Sequence, residues 1–225
     1  MEQFELEKWT WNEEDFQTMG WHDSTVYGLR FNGNLELDID YIFKWNEPEI
    51  EGFKFTFWVS PATLIFENPT KFNIELTQSF EESWLEMEDI EMTITNNIKS
   101  WTIITRQGDI SFNCETFKQI IRRKPTLQFS QNIGYDERGG FRFDTIPGDR
   151  AIEELSQEII ERKKRELELY ESAKNRFALK EELRMLQEKQ SLGQLSKDLL
   201  IKKNDIKAKI NSYNRELINT KFESW

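Results

Sequence analysis

Leu35-Glu36-Leu37-Asp38-Ile39-Asp40-Tyr41 is the stretch on which the reading of this chain turns. Apolar side chains fall at every odd position and carboxylates at every even one, and successive side chains of an extended strand leave on opposite faces. The period predicts a half-buried antiparallel strand, with Leu35, Leu37, Ile39 and Tyr41 toward a core and Glu36, Asp38 and Asp40 toward water. Strand-like runs continue on both sides: Thr25 to Phe31, Phe53 to Ser60, Thr63 to Glu67, Phe72 to Leu76, Ile90 to Ile94, Trp101 to Thr105, Ile110 to Asn113 and Leu127 to Phe129. Asn32-Gly33-Asn34 and Gln107-Gly108-Asp109 stand between such runs, where a glycine that tolerates positive φ suits a hairpin tip. Asp136-Glu137-Arg138-Gly139-Gly140 predicts another turn ahead of Phe141-Arg142-Phe143, and Cys114 to Arg123 a short helix. Many short strands without interleaved long helices predict an antiparallel β sandwich or a curved sheet.

The composition changes after Pro147-Gly148-Asp149. Seven of the eight tryptophans, nine of the ten glycines and all five prolines lie before residue 150, so residues 1–148 read as an acidic, aromatic-rich β domain and 149–225 as an amphipathic helical arm, an α+β chain overall. Asp149 is placed to cap the first helix, with Glu153 and Glu154 in its opening turn. An imperfect apolar stripe through Ile152, Leu155, Ile159, Leu169, Ala173, Phe177, Leu183 and Leu186 stops at Ser191-Leu192-Gly193. A second stripe, Leu195, Leu199, Ile206, Ile210, Tyr213 and Leu217, approximates a heptad seam. The simplest arrangement is a coiled-coil-like antiparallel helical hairpin turning near Gly193, with a single bent helix as the runner-up. In the alternative, Leu199, Ile206, Ile210 and Leu217 form the seam of a homo-oligomer.

The net charge of -11 is unevenly placed. Residues 151–225 hold 14 acidic and 16 basic side chains, a net of +2, which leaves 27 acidic and 14 basic before them, a net of -13. A domain of that sign repels nucleic acid and anionic lipid and favours encounter with a basic protein surface. Glu81, Glu82, Glu86 and Glu88, continued by Asp89 and Glu91, are the candidate partner-binding residues. The basic run Arg162-Lys163-Lys164-Arg165 is flanked by Glu158, Glu161, Glu166 and Glu168, which reads as pairing along a solvated helix. No apolar run approaches the roughly 20 residues of a membrane span. The single cysteine, Cys114, excludes an internal disulfide and points to a reducing compartment, the cytoplasm.

Chemistry-bearing motifs are sparse. His22-Asp23-Ser24 contains the residue types of a hydrolase triad, but triads are assembled from residues distant in sequence, and adjacent side chains of a strand diverge. Glu36, Asp38 and Asp40 share a strand face and are the one candidate for a cation-dependent module or enzyme; a solvated outer face explains them more simply. Phosphate loops, zinc spacings, nucleophile elbows and dinucleotide fingerprints are absent, so the expectation is a non-enzymatic binding protein with no catalytic residue, metal or cofactor.

Trp21-His22-Asp23-Ser24-x-Val26, then Leu37-Asp38-Ile39-Asp40-Tyr41-Ile42-Phe43-Lys44-Trp45 and Pro61-Ala62-Thr63-Leu64-x-Phe66-Glu67-Asn68, resembles an uncharacterised bacterial protein family over roughly residues 5–145. The opening, a His-Asp followed by alternating strands, is also similar to the small β-rich immunity proteins of bacterial toxin systems. The resemblance implies a bacterial, immunity-like protein or a component of a defence or toxin-neutralising locus, and it carries no catalytic residue with it. The arm after residue 150 lies outside both likenesses, so a structural adaptor acting through that arm is the remaining alternative.

Overall fold

The computed structural model describes residues 4–76, 84–140, 142–150, 155–194 and 196–225. Its strands are β1 (Thr10–Asn12), β2 (Ser24–Asn32), β3 (Asn34–Asn46), β4 (Thr56–Phe66), β5 (Thr70–Leu76), β6 (Leu85–Thr95), β7 (Ile98–Thr105), β8 (Gly108–Asn113), β9 (Phe117–Ile121) and β10 (Thr126–Gln128). A 3-10 helix (Glu13–Thr18) follows β1, and three helices close the order: α1 (Tyr135–Arg138), α2 (Gln157–Ser191) and α3 (Lys197–Leu217). The fold is α+β, a single antiparallel sheet of ten strands followed by a helical region.

The sheet runs β1-β9-β4-β3-β2-β6-β7-β8-β5, with β10 on β4 beyond the end of β9. It is strongly curved. In a flat sheet β9 and β7, five places apart, would lie about 24 Å from each other at about 4.8 Å per strand. Yet the rings of Trp101 on β7 and Phe117 on β9 are 5.3 Å apart, and both touch Phe66 of β4. The odd-numbered side chains of the quoted alternation, Leu35, Leu37, Ile39 and Tyr41, join that aromatic centre. Trp21 is buried there too, its indole donating to Gln119 Oε1 at 2.9 Å.

Turn chemistry sets the registers. Gly33, at φ 72°, connects Asn32 to Asn34 as expected. The β6–β7 hairpin turns on Asn96-Asn97, both at positive φ, the pair of left-handed residues that a two-residue hairpin needs and that asparagine tolerates best after glycine. The two runs expected around residues 53–67 are one strand, β4, which passes through Pro61. Pro61 has no N–H, and it sits where β9, paired to residues 62–66, gives way to β10, paired to 57–59, so no ladder bond is lost. The helix expected over 114–123 is instead β9: Ile121 and Phe117 fill the core while the backbone extends β4's edge. Tertiary pairing overrides weak local helix preference there.

Two compact units result, Glu2–Asn46 with Phe55–Glu154, and Glu47–Lys54 with Leu155–Trp225. The second is therefore not contiguous in sequence. Phe53 is buried within it against Tyr170, Phe177 and Trp225, at ring separations of 5.7, 5.3 and 5.9 Å. Helix α2 starts at Ser156, whose side chain accepts from the Ile159 amide, rather than at Asp149; Ile152, Glu153 and Glu154 lie outside the described residues. Gly193, at φ 69°, ends its last turn, and Ser196 caps α3. Leu186, Ile206 and Ile210 form the buried contact between the helices, with Leu199 half-buried beside them and Leu217 buried further along; Leu195 is outside the described residues. The stripe is thus used inside one chain, as a hairpin. Arg176 of α2 locks the end of the unit by donating to the carbonyls of Phe222, Glu223 and Trp225 at 3.0, 2.7 and 2.7 Å. Among the described residues, no helix is long and apolar enough to cross a membrane.

Candidate functional site

The even face of β3 does not face water. Asp38 and Asp40 are 0 % exposed and Glu36 is buried, because the segment after β9 folds back across this face and lays two arginines on it. Asp38 Oδ1 accepts from Arg122 Nη2 at 2.6 Å and from Arg138 Nη2; its Oδ2 accepts from Arg138 Nη1 at 2.8 Å and from the Arg142 amide at 2.9 Å. Asp40 Oδ1 accepts from Arg138 Nε at 2.8 Å, and Oδ2 from Tyr27 Oη at 2.9 Å and the Ile133 amide at 2.7 Å. Arg138 also donates to the carbonyls of Gly140 and Ile39, and its guanidinium lies over the Tyr27 ring at 4.2 Å. Glu36 is paired with Arg30.

Local sequence explains how the cover fits. A bulge between Val26 and Gly28 turns Tyr27 toward Asp40, and Gly28 sits opposite Asp38 with no side chain, so the Phe143 ring comes within 3.4 Å of where a Cβ would be. Thr63 Oγ1 donates to the Asp144 carbonyl, and Thr126 and Gln128 donate to Glu137 of α1. Gly148 closes the segment, its amide donating to the Ile121 carbonyl at 2.9 Å. Burial pushes Asp40's carboxyl above its ordinary range against the opposing pull of Arg138, and it raises Tyr27's phenol, with Asp40's charge adding to that rise. Burial also pulls Arg122 down, whereas for Arg138 the same penalty is outweighed by Asp38 and Asp40. All four lone-pair positions of Asp38 are taken by N–H donors, so a cation would have to displace arginine. Among the described residues no group of three or more His, Cys, Asp or Glu is arranged to hold a metal ion.

The His22-Asp23-Ser24 trio is assembled only in part. His22, 73 % exposed, lies with its Nδ1 3.0 Å from Asp23 Oδ2, and Asp23 takes a left-handed φ of 61° and accepts from Gln131, but Ser24 is buried opposite Met87 on the inner face, away from the pair. Cys114 is buried too, its thiol donating to the carbonyls of Glu67 and Thr116 and pushed up by burial. The open depression beside it, about 860 Å³, is lined by charges of both signs, of which Lys99 is spent on Glu13 and Lys118, nearby, on Glu67.

Of the expected partner-binding residues, Glu81 and Glu82 lie outside the described residues. Glu86 is half-buried beside Arg106, 3.5 Å away, and Glu88 is exposed at a bulge between Met87 and Asp89. The strand registers reveal a different acidic surface. Asp89, Ile104, Asp109 and Glu75 stand side by side across β6, β7, β8 and β5, and the next row is Glu91, Thr102, Ser111 and Asn73. Trp101, Ile103, Ile110 and Phe112 point the other way into the core, which fixes these rows on the outer face. Asp89, Glu91, Asp109 and Glu75 are all exposed. Asp89 and Glu91 belong to the acidic run legible in sequence; Asp109 and Glu75 become neighbours only through the ladder. The outer face therefore has a covered half on β2, β3 and β4, where arginines neutralise the carboxylates, and an acidic half on β6, β7, β8 and β5 without such a strap among the described residues. No family model, curated protein or solved structure matches this chain.

Proposed function

We propose that this chain is a non-enzymatic protein-binding protein whose acidic sheet face engages a basic surface on a protein partner. The observation that carries the reading is the pair of rows on β6, β7, β8 and β5: four carboxylates within two adjacent rows, with Glu75 directly opposite Asp109. Like charges in directly opposed positions destabilise a strand pair, so the arrangement costs the free chain stability that a partner's lysines or arginines would return. The molecule contains its own example of that complementarity, since Arg122 and Arg138 do the same for Asp38 and Asp40 on the covered half. Likeness of the opening residues to β-rich immunity proteins supports placing this binding in a bacterial cytoplasm, as an immunity-like part of a defence or toxin-neutralising locus.

The test is kinetic. Reversing Asp89, Glu91, Asp109 and Glu75 to lysine should slow association with the physiological partner by on the order of tenfold or more and flatten its dependence on salt. An unchanged association rate at low salt would remove the acidic face from the account.

A further inference from the structure

We propose that the free edge of β5 receives an extended segment of the partner as an added strand, and that this segment alternates basic with aliphatic side chains. The inference rests on the reading of the acidic face and names how the partner is seated on it. The sheet has two ends, and they differ. At one, β1 is three residues long, and short edge strands are a common protection against further pairing. At the other, β5 is seven residues long, exposed along nearly all its length, and pairs only with β8 among the described residues. A bulge between Thr70 and Asn73, with Lys71 at φ 52°, disrupts the start of β5 and leaves Asn73 to Leu76 as regular edge.

The two faces of that edge specify its complement. On the inner face, Ile74 continues the row Ile90, Ile103 and Ile110, and Leu76 lies opposite Gly108. These three isoleucines are buried, but Ile74 is 39 % and Leu76 47 % exposed, as is apolar Phe31, whose ring meets Phe72 at 4.7 Å. The inner row is therefore one strand short of covered. On the outer face, Glu75 ends the row that begins at Asp89. A strand added to β5 would set aliphatic residues against Ile74 and Leu76 and, one position away, a lysine or arginine against Glu75, extending the row that runs on to Asp109. A second copy of β5 fits worse. Antiparallel pairing centred on Ile74 gives Glu75 only Asn73 of the copy, supplies no base to either carboxylate row, and brings together two domains of net -13.

The probe is a capped peptide of about seven residues, ordinary strand length, alternating lysine and valine, compared with a peptide of identical composition whose lysines and valines form separate blocks. Binding to the full chain is measured by fluorescence anisotropy at low salt, with sedimentation of the free chain alongside. The alternating peptide should bind on the order of tenfold tighter than the block peptide and protect β5 amides from hydrogen exchange. Ile74→Lys should abolish the difference, and Glu75→Lys, at an exposed position, should weaken the alternating peptide without touching the inner row. Equal binding of both peptides, lost on adding salt, would overturn the added strand while leaving the acidic face as the binding surface. Failure of both peptides to bind at low salt would overturn the strand and the acidic-face reading together. A free chain that is already a dimer, and that Ile74→Lys turns into a monomer, would overturn the proposal by showing that a second copy occupies the edge.

Discussion

Arg138→Met tests whether the even face of β3 is held shut by its arginines. The guanidinium donates to both oxygens of Asp38, to Asp40 Oδ1, and to the carbonyls of Gly140 and Ile39, with a side chain only 1 % exposed. Methionine fills much of the volume but leaves two buried carboxylates against Arg122 alone. Breaking a buried pair from one side costs about 3–5 kcal/mol, a large fraction of the roughly 5–15 kcal/mol that holds a domain folded. The cheapest relief is a proton on Asp40, whose carboxyl burial already raises. The sign follows from that: with the folded value above the unfolded one, the folded state binds a proton that the unfolded state does not, so the deficit shrinks as pH falls and grows as pH rises through the folded value. Urea unfolding followed by tryptophan fluorescence reads the sheet unit, which holds seven of the eight tryptophans. Removing the other partner in the double variant Arg138→Met, Asp40→Leu should recover part of the loss, because Arg122 and Asp38 remain balanced. A deficit for Arg138→Met under about 1 kcal/mol, the worth of a solvated ion pair, would refute the buried network.

Three further outcomes are expected. Gly148→Ala places a Cβ in conflict with the Trp9 ring and the Arg122 carbonyl, so it should cost about 1–3 kcal/mol in the same unfolding assay; a neutral result would mean that the covering segment does not seat there. Ile206→Asp with Ile210→Asp removes two buried side chains worth about 1.5–3 kcal/mol each and should abolish most far-ultraviolet helicity while sparing the sheet unit's tryptophan emission; unchanged helicity would contradict the hairpin. Tyr27, with a folded phenol value raised above 10.0, contributes stability that is complete below the unfolded value and is lost as pH climbs past it, so Tyr27→Phe should make the alkaline fall in stability shallower; identical slopes would place Tyr27 in solvent.

Much of the fold was legible because side-chain period reports burial. Leu35, Leu37, Ile39 and Tyr41 face the core as their alternation predicts, and Ile206 and Ile210 seal a hairpin as their spacing predicts. What period cannot report is a second layer. The carboxylates at 36, 38 and 40 read as solvated since nothing local announces that Arg122 and Arg138, about a hundred residues away, will cover them. Arg138 inside an acidic turn ahead of Gly139-Gly140 was the only signal, and turn chemistry accounts for it equally well. Glu75 and Asp109 escaped for a related reason, because their adjacency exists only once β5 pairs with β8. Phe53 looked like the start of a strand, while its ring belongs with Tyr170, Phe177 and Trp225, a grouping that sequence distance conceals.

Capture from a lysate of the native host shows whether the acidic face recruits a basic protein. The intact chain and the chain reversed to lysine at Asp89, Glu91, Asp109 and Glu75 are immobilised side by side, and the retained proteins are eluted by a salt gradient. A protein with a basic surface should be retained by the intact chain, released by salt and not held by the reversed chain. Retention of the same protein by both chains, eluting at the same salt, would contradict it.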